Sequence, residues 1–280
     1  MPAETGFPRA DVADEFLRIR RRQAIARIVR WLRRAPDDVN VIMPLDEVLD
    51  ALGRKGERRL GLRTIRLDRI VGTVDSSHDF DRRFRPTNGR VRERWERLAL
   101  AQRRGESIPP IDVYQVGDLY FVQDGHHRVS IAIAEGAKTI EAYVTEVRTQ
   151  VPATGLRGRR DLVFKGYERI FRARVPLSAV AMAKIIVTDP WSYAELGEAV
   201  EAWGYRRMQD TGQFSDRAET ARHWFAEEYQ PVVRMMRHAD LVGQRTEAEA
   251  YLRVATERYR LILAHEWSDE IVERLRGKVR

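Results

Sequence analysis

The chain contains no cysteine. That absence removes disulfides, thiolate metal sites and thiolate nucleophiles together, and nothing calls for an oxidising compartment. Lysine is scarce: Lys55, Lys138, Lys165, Lys184 and Lys278 are the whole set, so arginine makes up nearly all of the 50 basic residues. No run approaches the roughly 18 apolar residues of a membrane span. The opening Met-Pro-Ala-Glu-Thr-Gly-Phe has neither the basic start nor the apolar centre of a signal peptide. A cytoplasmic protein without a membrane span is therefore expected. Gly53-Arg-Lys-Gly-Glu-Arg-Arg-Leu-Gly61 lacks the Gly-Lys-Ser/Thr ending of a phosphate loop, so 53–61 reads as a solvated basic connector. No His-Glu-x-x-His is present, and His223 with Glu227 and Glu228 has no third metal ligand beside it. No metal site is expected.

What is present suits one large or two modest soluble domains: 280 residues, 43% apolar, with a net charge of +8. Arginine forks suit phosphates and carboxylates, so the excess charge favours a polyanionic partner. Residues 1–37 contain an amphipathic basic helix. Leu17, Ala24, Ile25, Ile28, Trp31 and Leu32 share one predicted stripe, and arginines spread around the rest. That helix reads as a docked helix with a solvated face, as a nucleic-acid contact through Arg27, Arg30, Arg33 and Arg34, or as a membrane-surface helix. Residues 38–150 alternate strand and helix signals, 151–160 have the composition of a linker, and 161–280 are mainly helical. The fold class is α+β: a small mixed sheet followed by a helical domain. Capping boxes are expected at Ser192–Glu195 and Thr246–Glu249, a kink at Pro231, and core roles for Trp191, Trp203, Trp224 and Trp267.

The most informative stretch is Leu119–Gly136. Val113–Val116, Gly117-Asp118 and Leu119–Val122 read as a hairpin. The second strand stops at Gln123-Asp124-Gly125, and a helix opens at His126-His127-Arg128 that buries Val129, Ala132 and Ile133. A strand that breaks at glycine and opens a helix gathers free N–H groups where the helix dipole is positive. Two readings stay open. One is a phosphate or nucleotide pocket; the other is a capped helix, with Asp124 as N-cap and Arg128 in solvent.

The same stretch resembles the ParB/sulfiredoxin superfamily, which carries a G-x-x-R box in this strand–turn–helix setting. Partition proteins have Gly-Glu-Arg-Arg, sulfiredoxins Gly-Cys-His-Arg, and a free-serine kinase on this fold Asp-Gly-His-Thr-Arg; here the box is Asp124-Gly125-His126-His127-Arg128. The resemblance extends upstream through Leu67–Gly72 and Pro109–Val113 and downstream to Ile140–Val144, about residues 62–150. His126 stands at the sulfiredoxin cysteine, so sulfinic-acid reduction through a thiolate is excluded. The Glu-Asn-x-Gln-Arg helix of partition proteins has no counterpart, since Val147–Pro152 occupies its place.

What the resemblance implies is an NTP, ATP or CTP, with Mg²⁺ as a companion ion. Gly125, His127 and Arg128 would hold phosphate. Arg82, Arg83 and Arg85 of the preceding loop would assist, with Asp79 and Asp81 as metal or hydroxyl partners. Asp124 and His126 would carry any chemistry, so that the protein acts as an NTP-dependent switch or phosphotransferase associated with DNA. The alternatives are a DNA-binding regulator or chromosome-partitioning-like protein without catalysis, and a scaffold. A homodimer or a protein partner would use the helical C-terminal half.

Overall fold

The computed structural model describes residues 8–32, 42–74 and 79–262, without the side chains of 27, 28, 30–32 and 259–262. Of the expected DNA contacts, Arg33 and Arg34, and the side chains of Arg27 and Arg30, lie outside the described residues, as does Trp267. The fold is α+β, and the chain divides into two compact units at Leu162/Val163. Among the described residues no helix is long and apolar enough to cross a membrane.

The first unit is built on a six-stranded mixed sheet. Its strands are β1 (Met43–Pro44), β2 (Arg54–Arg66), β3 (Ile70–Thr73), β4 (Ile111–Val116), β5 (Leu119–Asp124) and β6 (Thr139–Thr149). They lie in the order β1-β3-β5-β4-β6-β2. β4 and β5 form the expected hairpin, with Val116 opposite Leu119. Gly117 at φ 63° supplies the positive φ that a tight two-residue turn needs at its first position. β3 pairs in parallel with β5, which brings Thr73 beside Val122, one turn from the box.

One face of the sheet carries α1 (Pro8–Leu32), α3 (Arg92–Arg103) and α4 (His126–Ala134), over a core of Phe16, Trp95, Ile111, Val113, Val129 and Ile131. A second cluster, containing Phe121, Val116 and Val147, packs with α2 (Leu45–Leu52). Residues 151–160, despite their linker composition, bury Val151, Ala153 and Leu156 in that second cluster, which Leu162 joins from just beyond them.

Three sequence expectations change here. Among the described side chains of α1 the buried ones are Val12, Phe16 and Gln23, whereas Leu17 and Ile25 are exposed; the side chains of Ile28, Trp31 and Leu32 lie outside the described ones. Phe16 meets Trp95 at 5.6 Å between ring centroids and fixes the rotation of the helix. On α4, Ile131 replaces Ile133 as a core residue beside Val129 and Ala132. The basic connector at 53–61 is a strand: β2 runs unbroken to Arg66 against β6. Its register shifts lie at Arg54/Gly56 and Arg59/Gly61, where glycine accepts a bulge, and Gly61 has φ 75°.

The second unit is helical: the end of α5 (Arg159–Arg174), then α6 (Ala179–Met182), α7 (Trp191–Thr211), α8 (Arg217–His223), a π-helical turn (Trp224–Tyr229), α9 (Gln230–His238) and α10 (Glu247–Ile262). Just before Pro231, where a kink is expected, the helix widens into the π turn, which accommodates a proline that has no N–H to return to the preceding turn. Trp224 is fully buried and donates to the Tyr251 hydroxyl (3.1 Å). Trp191, by contrast, is 63% exposed. Lys184–Asp189 is a connector that buries Ile185 and Val187.

The Ser192–Glu195 capping box does not form, because α7 starts at Trp191, whose N–H donates to Asp189. A box forms instead at Asp216–Glu219. At Thr246–Glu249 the expected contacts are present, at 3.3 and 3.4 Å, and Glu249 also accepts from the Thr188 hydroxyl (2.7 Å) and the Asp189 N–H (3.1 Å). Burial works against the Glu249 charge, but the hydrogen bonds from Thr188, Asp189 and Thr246 prevail and hold its pKa at about 2. The folded pKa lies below the unfolded one, so this contribution is complete above about pH 4.5 and is lost as pH falls towards 2. Glu249→Gln should lower the melting temperature at pH 7 and flatten the acid limb between pH 4.5 and 2. Thermal melts across that range check it, and an unchanged acid limb would contradict it.

Candidate anion site at the start of helix α4

Gly125 is the N-cap of α4 at φ 111°, a conformation glycine tolerates and other residues rarely adopt. A Cβ there would lie 2.4 Å from Ile111 Cγ2, so the turn needs glycine for space as well as for φ. The first helical hydrogen bond runs from Val129 N–H to the Gly125 carbonyl (3.0 Å), and no side chain caps the helix. The N–H groups of His127 and Arg128 precede that bond and face the positive end of the dipole. Asp124 is therefore not the N-cap.

Arg128 is held by the protein itself. Its Nη1 donates to the carbonyls of Pro109 (2.7 Å) and Pro110 (2.6 Å), and its Nη2 to Asp124 (2.5 Å). The side chain is 12% exposed. A guanidinium spread over two carbonyls and a carboxylate is a clamp between the start of α4 and the start of β4, with little left to give a ligand.

The two histidines diverge as their spacing requires. His126 lies 6.1 Å from Phe80 and 6.2 Å from Phe84 between ring centroids. Its Nε2 is 2.7 Å from the Thr73 hydroxyl, which itself donates to the Val122 carbonyl (3.2 Å). A hydroxyl has one proton, so with that proton on Val122 the imidazole Nε2 donates in this contact. His127 meets Phe80 edge-on at 5.2 Å, and its Nδ1 is buried without a hydrogen-bond partner. Burial, then the nearby Arg94 and His126, push the His127 pKa down to about 4. The ring is neutral at pH 7.

These groups line a cavity of about 220 Å³ together with Asp79, Phe80 and Arg94. That volume is below the range of sites for whole drug-sized ligands and suits one phosphoryl or carboxylate group with water. Arg94 is the residue the sequence reading missed. It projects from the exposed side of α3 and makes no ion pair or hydrogen bond with another described residue. Only its i, i+4 phase with Leu98, which also lines the cavity, hinted at its direction.

Arg82, Arg83 and Arg85 are not brought to this cavity. Arg82 donates to the Arg157 carbonyl, and with Arg83 it lines a separate groove beside Phe84 and Lys138. Arg85 is bound to Asp81 through Nε (2.9 Å) and Nη2 (2.6 Å). Asp81 also accepts the N–H groups of Arg83 and Arg85 (2.9 and 3.0 Å). Side-chain exposures of 6% for Asp81 and 16% for Arg85 make this a largely buried pair. It holds a tight loop in which Phe84 adopts φ 53°, so neither Asp81 nor Arg85 is available to a metal or a phosphate. Asp79 stays on the cavity wall, where it accepts from Asn88 (2.7 Å). Among the described residues no three His, Asp or Glu side chains gather as a metal site; in the second unit His223 pairs with Glu227 at 2.6 Å, while Glu228 turns to Arg258. No protein-family model matches the chain, and no curated protein matches it either.

The clamp predicts a stability effect for Arg128. Its replacement by alanine removes the charged donor to the Pro109 and Pro110 carbonyls, one exposed and one half-buried, so Arg128→Ala should cost about 1.5–3 kcal/mol. Urea denaturation of the full chain checks this; a change within about 0.5 kcal/mol would mean that the clamp contributes nothing.

Proposed function

We propose that this protein binds a nucleoside triphosphate, ATP or CTP, with a phosphoryl group seated at the start of α4, and works as an NTP-dependent switch or phosphotransferase of the ParB/sulfiredoxin-like kind. The observation that carries this reading is that Arg94, whose guanidinium makes no ion pair or hydrogen bond among the described residues, and an uncapped helix N-terminus line one small cavity. Backbone N–H groups fit phosphate oxygens, and Arg94 supplies the charge that Arg128 has already spent. Asp79 and Asp124 are the carboxylates on the wall that would hold Mg²⁺ beside bound phosphates. The base and sugar lie outside a cavity of this size.

Roles are reassigned accordingly. Gly125 and the N–H groups of His127 and Arg128 receive phosphate, Arg94 neutralises it, and Arg128 positions the turn. His126, tied to Thr73 between two phenylalanines, orients the first turn of α4. Phosphoryl transfer needs positioning and charge neutralisation more than covalent help, so Asp124 remains the group to orient an acceptor hydroxyl in the phosphotransferase form.

Arg94→Ala should weaken binding of the preferred nucleotide at least about tenfold, the worth of one charge-assisted contact, and leave the urea midpoint unchanged. Calorimetric titration of wild type and variant with ATP, CTP and GTP in Mg²⁺ reads the difference. Equal affinities in the two proteins would remove Arg94 from the site, and absence of binding by the wild type would remove nucleotides altogether.

A further inference from the structure

β2 is an edge strand of unusual character. It is 13 residues long, ten of them exposed and only Ile65 buried, and among the described residues its outer edge pairs with no other strand. It carries Arg54, Lys55, Arg58, Arg59, Arg63 and Arg66 against a single acid, Glu57. Three of these cations are neutralised locally: Arg54 by Glu57, Arg58 by Glu146 and Arg66 by Asp68. Lys55, Arg59, Arg63 and, on the neighbouring strand, Arg148 make no ion pair or hydrogen bond with another described residue.

The register distributes these four over both faces of the β2–β6 ribbon. Arg59 stands opposite Thr145, and Leu62 opposite Tyr143 on the same face. Arg63 stands opposite Ala142 and Arg148 opposite Gly56, on the other face. Lys55 sits in the bulge between them. A strand edge with cations on both sides matches a groove with a phosphate wall on each side. At about 3.3 Å per residue β2 spans roughly 40 Å, a little more than one turn of duplex, and the major groove admits a two-stranded ribbon. Pairing with a second copy of the same edge would set like charges against each other, which disfavours it.

We infer that the β2–β6 edge is a duplex DNA interface, engaged edge-on through Lys55, Arg59, Arg63 and Arg148. The interface is independent of the α4 cavity. It supplies phosphate contacts with no base readout, so binding is salt-dependent and tolerant of sequence.

The test is fluorescence anisotropy of the full chain with labelled duplex DNA across a salt series. The comparison is a variant with all four residues changed to alanine, and its fold is checked by thermal melting. Because these side chains make no ion pair or hydrogen bond with another described residue, the variant should fold. Four lost phosphate contacts should reduce the log–log salt slope by about 3 to 4. A second variant, with Arg27, Arg30, Arg33 and Arg34 changed to alanine, should keep the ribbon's share of the slope. The inference is overturned by an unchanged slope in the ribbon variant, by failure of the wild type to bind DNA, or by polyglutamate binding as strongly as duplex, which would point to an acidic protein instead.

Discussion

The Arg128 guanidinium joins the two halves of the hairpin region, and the site depends on it. It reaches from the first turn of α4 to the carbonyls of Pro109 and Pro110 and to Asp124. The same turn presses Gly125 against Ile111, at a distance that leaves no room for a Cβ. Together these contacts fix where β5 ends and in which direction α4 starts. Only then do the uncapped N–H groups, the orphaned Nδ1 of His127 and the guanidinium of Arg94 share one cavity. The arginine that closes this turn thus shapes the cavity while its own charge is committed to the protein.

A second constraint supports the first. The buried Asp81–Arg85 pair folds its loop so that Phe80 and Phe84 flank His126. His126 is anchored through Thr73 to Val122, the strand residue two before Asp124. Electrostatics inside the cavity are then balanced rather than strongly positive: Arg94 and Arg128 face Asp79 and Asp124. In the proposed site, directed donors rather than net charge are what would hold an anion. Much of the chain's positive charge lies apart from this cavity, along the exposed edge of β2.

The sequence made some of this legible and hid the rest for physical reasons. The β4–β5 hairpin and the glycine break before α4 were readable because local chemistry decides them: a positive-φ glycine at 117, another at 125, and apolar alternation between. β2 was misread because its pairing is non-local. Arg58 meets Glu146 across 88 residues, and six cations around two glycines look like a loop until β6 lies alongside. The apolar stripe of α1 was misplaced because Val12 and Phe16, which dock, precede the stronger-looking cluster at Ile25. Arg94 was invisible because a helix-surface arginine has the same sequence signature whether it faces solvent or a cavity. Arg85 and Arg128, both expected at phosphate, are bound to protein groups instead, and composition does not tell a free guanidinium from a committed one.

The central claim is that an anion seats against the start of α4 beside His127. The most direct measurement is the side-chain NMR titration of His127, first without ligand and then with inorganic phosphate, ATP and CTP in turn. Without ligand its pKa should lie near 4, well below the 6.5 of a free imidazole. A phosphoryl group beside the ring favours the imidazolium and should raise that value with at least one of the three ligands. A His127 pKa that stays put with every ligand, at saturating concentration, would contradict the account.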